Sequence, residues 1–138
     1  LAHARAVVDL CRLAGKPDYL VQDGIHRIPV EVKPGRQAEQ TYASDIYQLG
    51  VYCLLVEETW RRPPYGLIRY RSATFRVPYT RQLRSQLLSL LAEMRRKLQA
   101  RDVRPNHRDP ERCLRCGYRH VCNAKLAQAP KLCSRKCG

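Results

Sequence analysis

The chain of 138 residues carries 26 Lys and Arg against 12 Asp and Glu, a formal net charge of +14 at pH 7 and a sequence pI near 9.9. That length holds one main fold with an appendage rather than two full domains. With no apolar run near the roughly 20 residues that cross a bilayer and no charged-then-apolar leader, a cytoplasmic protein without a membrane partner is predicted. The charge favours a polyanionic partner, nucleic acid first, although a generally arginine-rich composition would raise it without one.

Taken in chain order, Ala4 to Leu10 and Asp18 to Val21 read as strands and His26 to Lys33 as a third, with "LAGKP" and "QDG" as turns, which makes a three-stranded meander. Pro34-Gly35 stops the sheet. Glu39 to Thr59 then places Tyr42, Ile46, Leu49, Cys53 and Val56 at three- and four-residue spacing, the period of an amphipathic helix, and "RRPP" breaks it. "YGLIRYR" and "TFRVPY" form a hairpin. Thr80 to Ala100 is a helix with Thr80 as its N-cap and a core-facing leucine stripe at 83, 87, 90, 91 and 98. From Arg101 a polar connector leads into a cysteine-rich tail, so the division is 1–100 and 101–138.

The first hairpin carries charges in the middle of residues that should pack. Side chains alternate along a strand, so Glu31 and Lys33 share one face while Val30 and Val32 share the other. An Asp23-Gly24 loop sets Asp18 opposite Pro29, a diagonal step from Glu31; a Gly24-Ile25 loop sets Asp18 directly against Glu31. Either register leaves both carboxylates on one face. Like charges so placed repel unless a divalent cation neutralises them, and hard oxygen ligands favour magnesium or manganese. Such an ion polarises a phosphodiester and activates a water, while Lys33 orients that water or stabilises charge building on phosphorus. Gln48 and Tyr52 lie four apart on the following helix and so share a face.

Seven cysteines are an odd number, and five follow Arg112, a distribution that suggests a metal rather than a disulfide framework. Cys113, Cys116 and Cys122 bring three thiolates within ten residues, suited to zinc or iron–sulfur ligation. A rival set, Cys113, Cys116, Cys133 and Cys137, approximates a four-cysteine zinc site and leaves Cys122 and His120 over. Either metal would be structural. Cys11, beside the hairpin, and Cys53, on the helix core face, read as small buried thiols. His26, next to the hairpin turn, reads as an exposed polar residue with no further role.

Pro17-Asp18, Glu31-Val32-Lys33 and Gln48-x-x-x-Tyr52, in this order and spacing, resemble the motifs of RecB-type nucleases in the PD-(D/E)XK superfamily. With the tail "CLRCGYRHVC" and the "YGLIRYRS" strand, the chain from about Val8 to Ala124 is similar to the CRISPR-associated exonucleases called Cas four. The resemblance implies a restriction-endonuclease-like α/β core, a mixed sheet flanked by helices. It also implies Asp18 and Glu31 as metal ligands with the Val32 carbonyl, Lys33 as the catalytic lysine, and Gln48 and Tyr52 organising the site and a single DNA strand. It further implies a four-iron four-sulfur cluster on Cys113, Cys116 and Cys122, with the fourth ligand upstream of this chain, and spacer-precursor trimming alongside the CRISPR adaptation integrase.

Only 17 residues precede Asp18, too few for the family's upstream histidine and first cysteine. His3 is a close-set substitute for the former; Cys133 or Cys137 could supply the missing cluster ligand. Opening on Leu1, the chain reads as a fragment or a start inside a longer frame. Two alternatives stay open: another RecB-type recombination or phage exonuclease, and an inactive metal-stapled DNA-binding module.

Overall fold

A computed structural model describes residues 6–8, 13–101 and 107–126. The strands are β1 (Ala6–Val8), β2 (Leu13–Gly15), β3 (Tyr19–Asp23), β4 (His26–Lys33), β5 (Tyr65–Tyr70) and β6 (Thr74–Pro78). The helices are α1 (Ala43–Thr59), α2 (Arg81–Leu98) and α3 (Pro110–Leu114).

The first 33 residues do not form one meander. β1 and β2 pair with each other in a separate two-stranded sheet, Ala6 against Gly15, while β3 and β4 belong to a four-stranded sheet ordered β3-β4-β5-β6. The segment read as the turn "LAGKP" therefore begins as a strand. Gly15 serves close packing rather than turning: a Cβ there would lie 2.9 Å from Leu55 Cδ1 and 3.2 Å from Tyr52 Cε1. Such a glycine is indistinguishable from a turn glycine in one dimension.

In the larger sheet β3 and β4 are antiparallel, β4 and β5 parallel, and β5 and β6 antiparallel. The parallel step requires a crossover, which α1 provides. This mixed sheet with helices is the α/β architecture expected from the sequence. α1 packs against both sheets: Leu49 and Cys53 join Ile68, Tyr70, Tyr79 and Leu87 in one cluster, while Leu55 packs with Leu13, Val51 and Tyr52 in another. Each fully buried leucine contributes about 1.5–3 kcal/mol. Burial on two sides explains why α1 hides Asp45, Gly50, Leu54 and Leu55 as well as the predicted Leu49, Cys53 and Val56.

α1 starts four residues later than the periodicity suggests, because its first turn is set by a tertiary contact. Tyr42 sits at the N-cap with no side-chain cap of its own, and its N–H donates to Tyr70 Oη on β5 at 3.0 Å. α2 opens as expected, with Thr80 Oγ1 accepting from Leu83 N–H at 3.1 Å. Its leucine stripe is only partly core. Leu87 is buried, but Leu90 and Leu98 are 39% and 84% exposed, because the stripe is longer than the surface available to cover it.

The chain divides into two compact units, Leu1–Arg95 and Arg96–Gly138. In the second, the five-residue α3 opens on Asp109, whose side chain accepts from Glu111 N–H at 3.0 Å, with proline in its first turn. Among the described residues, no helix is long and apolar enough to cross a membrane.

Candidate active site

β4 supplies the centre of the site through simple alternation. Residues 29, 31 and 33 face α1, and the register pairs Glu31 with Ile68 and Lys33 with Tyr70 on β5. On the other side, Tyr19 pairs with Val30 and Asp23 with His26, so the loop is Gly24-Ile25, with Gly24 taking the left-handed conformation at φ 58°. This is the register that carries Asp18, one residue ahead of β3, to the level of Glu31. The Val32 N–H donates to Asp18 Oδ2 at 2.7 Å and holds that exposed carboxylate against the strand.

α1 supplies the other half. Its approach to the sheet is permitted by Gly66, where a Cβ would lie 2.7 Å from Leu49 Cγ. The residue before Leu49 is Gln48, which the close approach delivers onto Glu31. Gln48 Nε2 donates to Glu31 Oε1 at 2.7 Å and to Tyr52 Oη at 3.0 Å, while Gln48 Oε1 accepts from Lys33 Nζ at 2.9 Å. Lys33 Nζ also lies 2.7 Å from Glu31 Oε1. Glu31, Lys33 and Gln48 thus close a ring of three mutual contacts in which only one orientation of the Gln48 amide satisfies every partner.

Glu31 is 6% exposed, and a buried carboxylate is tolerable only with donors of this kind. The Lys33 ammonium is held above its ordinary range, chiefly by its hydrogen bond to Glu31 and against the opposing effect of desolvation; the charges of Glu31 and Asp45 and the Tyr52 phenol add to the rise. Lys33 at neutral pH is therefore a cation and donor, not a free base.

The structure brings Asp18, Glu31, Lys33, Gln48 and Tyr52 into one neighbourhood, with Val32 contributing its amide to Asp18. Glu31 Oε2 and Asp18 Oδ1 have no protein donor among the described residues. Two carboxylates, each with an oxygen to spare, fit a hard divalent cation such as magnesium or manganese.

Sequence reasoning passed over a second constellation beside this one. Asp45, 2% exposed, accepts from Tyr70 Oη at 2.6 Å and pairs with Arg36 Nη1 at 3.3 Å. Asp45 is three residues before Gln48, so an acid on the same face of an otherwise apolar helix was the available signal. Its partner Tyr70 was not legible, since only the β4–β5 register places it next to Lys33. His26, read as exposed, is half-buried, and its buried Nδ1 has no partner among the described residues.

In the second unit, Cys113 is buried, Cys122 half-buried and Cys116 exposed, and Cys113 Sγ accepts from Leu126 N–H at 3.4 Å. Among the described residues, no three Cys, His, Asp or Glu side chains converge as a metal-holding group. His120 lies exposed in the turns after Cys116. His3, Cys11, Cys133 and Cys137 lie outside the described residues. Cys53 is 2% exposed among core side chains, as expected.

Residues 2–123 match the model of the PD-(D/E)XK nuclease superfamily. The chain is also 32% identical over 92 residues to a CRISPR-associated exonuclease Cas4/endonuclease Cas1 fusion of Myxococcus xanthus (strain DK1622). That match covers 64% of this chain and 16% of the relative.

Proposed function

This chain belongs to the PD-(D/E)XK nuclease superfamily, and on that premise we propose that it is a Cas4-like, divalent-metal-dependent DNA exonuclease that hydrolyses phosphodiester bonds of single-stranded DNA. The observation that carries the reading is the Glu31–Lys33–Gln48 ring set against Asp18 across the hairpin.

Asp18 and Glu31 would hold magnesium or manganese, with the Val32 carbonyl as a further oxygen. The bound ion supplies Lewis acidity to the scissile phosphate and lowers the pKa of an attacking water. Lys33, kept protonated by Glu31, presents its ammonium to the oxygens of phosphorus as negative charge builds there. Gln48 spends its amide on aiming Glu31 and Lys33. Tyr52 Oη accepts from Gln48, which leaves its own O–H proton to donate toward the strand.

Residues 1–100 would serve as the nuclease core and 101–138 as a tail whose Cys113, Cys116 and Cys122, not converged among the described residues, would have to close together to hold an iron–sulfur cluster of the four-iron type. The amide donor on Cys113 Sγ is the kind of hydrogen bond that cluster sulfurs receive. Zinc is the alternative, and the metal content of purified protein, with visible absorbance, separates the two. The relative's fusion to an endonuclease Cas1 supports a role beside the integrase of CRISPR adaptation, processing spacer precursors.

The test is degradation of end-labelled single-stranded DNA with manganese, magnesium or EDTA, comparing wild type with Glu31→Ala and a linear with a circular substrate. Metal-dependent loss of the linear strand alone, abolished in Glu31→Ala, is expected. Metal-dependent cutting of the circle would make the enzyme an endonuclease, and binding without cutting in any metal would leave a DNA-binding module.

A further inference from the structure

We propose that Arg36 and Tyr42 form a nucleotide subsite for the DNA strand, Arg36 binding a backbone phosphate and Tyr42 stacking on the neighbouring base; the inference rests on the reading of the adjacent site as a DNA nuclease. The Arg36 guanidinium lies 4.5 Å from the centroid of the Tyr42 ring, and both remain open to solvent, Arg36 at 38% of its side chain and Tyr42 at 47%. An exposed arginine on an exposed aromatic is ordinarily loose. This one is fixed at every point.

Its backbone is pinned twice. Arg36 N–H donates to the Lys33 carbonyl at 3.0 Å, closing the turn that leaves β4, and its carbonyl accepts from Arg71 N–H at 3.0 Å. Its side chain is pinned by the buried Asp45, which Tyr70 also holds. Tyr42 is pinned in turn, since its N–H donates to the same Tyr70 hydroxyl and its ring tilts against the Tyr70 ring at 6.0 Å between centroids. Burying a carboxylate is costly, and a solvent-facing arginine needs no such anchor to be soluble. The anchor makes sense where the guanidinium must stand ready in one place.

That place is one tight turn from Lys33, and Tyr70, which holds the anchor, is the register partner of Lys33 on β5. Asp45 uses one arginine nitrogen, leaving further donors of the planar fork for a phosphate. An aromatic ring beside a phosphate contact is the arrangement that binds single strands without reading their sequence.

The experiment is fluorescence anisotropy of 5′-fluorescein-labelled oligothymidylate with the full chain in EDTA, across a salt series, followed by cleavage assays in manganese. Arg36→Ala and Tyr42→Ala are each expected to weaken binding about tenfold. Arg36→Ala should also reduce the steepness of log K against log salt by about 0.7, the value for one phosphate contact on a single strand, and Tyr42→Ala should leave it unchanged. Tyr42→Phe should recover most of the affinity, and Arg36→Lys should restore the salt slope but only part of the affinity, since an ammonium lacks the planar fork that serves Asp45 and a phosphate together. Binding within about twofold of wild type in both alanine variants overturns the subsite, as does weaker binding by Arg36→Ala with an unaltered salt slope, the sign of structural damage alone. Tyr42→Ala removes no partner of Asp45 and keeps the test decisive if Arg36→Ala misfolds. Wild type that cuts while its binding ignores both residues sinks the subsite and spares the nuclease. Wild type whose binding depends on both but which never cuts does the reverse.

Discussion

Glu31 on β4 and Gln48 on α1, 17 residues apart in the chain, meet through a 2.7 Å hydrogen bond from the Gln48 amide to a carboxylate that is almost fully buried. This contact couples α1 to β4. Gln48→Leu leaves Lys33 as the sole donor to Glu31 among the described residues and frees the ammonium on one side. Partners of this type typically change metal affinity or activity by about 10–100-fold. A manganese titration of cleavage should show the requirement moved to higher metal by a factor in that range, with the fold intact by circular dichroism. An unchanged titration would remove Gln48 from the site.

Lys33→Ala should lower cleavage by at least about a hundredfold, the scale of losing one preorganised donor to developing charge. Binding of single-stranded DNA in EDTA should stay within a few-fold, because one ammonium among 26 basic residues contributes little to the total phosphate contact. Cleavage rate and binding constant measured on the same preparation separate the two effects.

Gly66→Ala and Gly50→Ala test how tightly α1 is held. A methyl at position 66 meets Leu49 at 2.7 Å, and one at position 50 meets Leu87 Cδ1 at 2.6 Å. Overpacking of this kind costs about 1–3 kcal/mol, which thermal unfolding should register as a fall in Tm for both variants. Gly66→Ala should additionally impair cleavage in the folded protein, since lifting α1 withdraws Gln48 from Glu31. The same change at Gly24, at φ 58° with open space around it, strains the backbone instead and should leave cleavage chemistry alone.

Tyr70→Phe removes the hydroxyl that donates to buried Asp45 and accepts from Tyr42 N–H. Leaving a buried carboxylate short of a donor costs about 1–3 kcal/mol or more. Denaturant unfolding should show a midpoint lowered with an unchanged slope. A Tyr70→Phe variant as stable as wild type would mean that Arg36 and the Ser44 hydroxyl, 3.5 Å from Asp45 Oδ1, satisfy Asp45 without it.

The Cys53 thiol is pushed up to about 12 from an ordinary 9.0, mainly by burial, with the Glu57 charge adding to it. Its neutral form is favoured in the folded state, so its contribution to stability is fully present below pH about 9 and is lost as pH rises toward 12. Unfolding free energies of wild type and Cys53→Ala measured from about pH 8 to pH 11 should converge as wild type loses this term. At pH about 8 a thiol reagent should reach Cys53 only after unfolding.

The sequence by itself determined the features that depend on backbone period alone. Alternation along His26–Lys33 put Glu31 and Lys33 on one face, a four-residue step put Gln48 and Tyr52 on another, and the excess of basic residues pointed to nucleic acid. The hairpin β5–β6 and the Thr80 cap were legible for the same reason, since their signals are contained within a few residues.

Tertiary structure decided the rest. It chose the Gly24-Ile25 loop over its neighbour, separated β1 and β2 from the main sheet, delayed the start of α1 to Ala43, and set Asp45 on Tyr70 and Arg36. Each of these turns on a partner more than a few residues away. A register, a close approach at a glycine or a buried ion pair is selected by what packs against it, and that information does not reside in any local stretch of the chain.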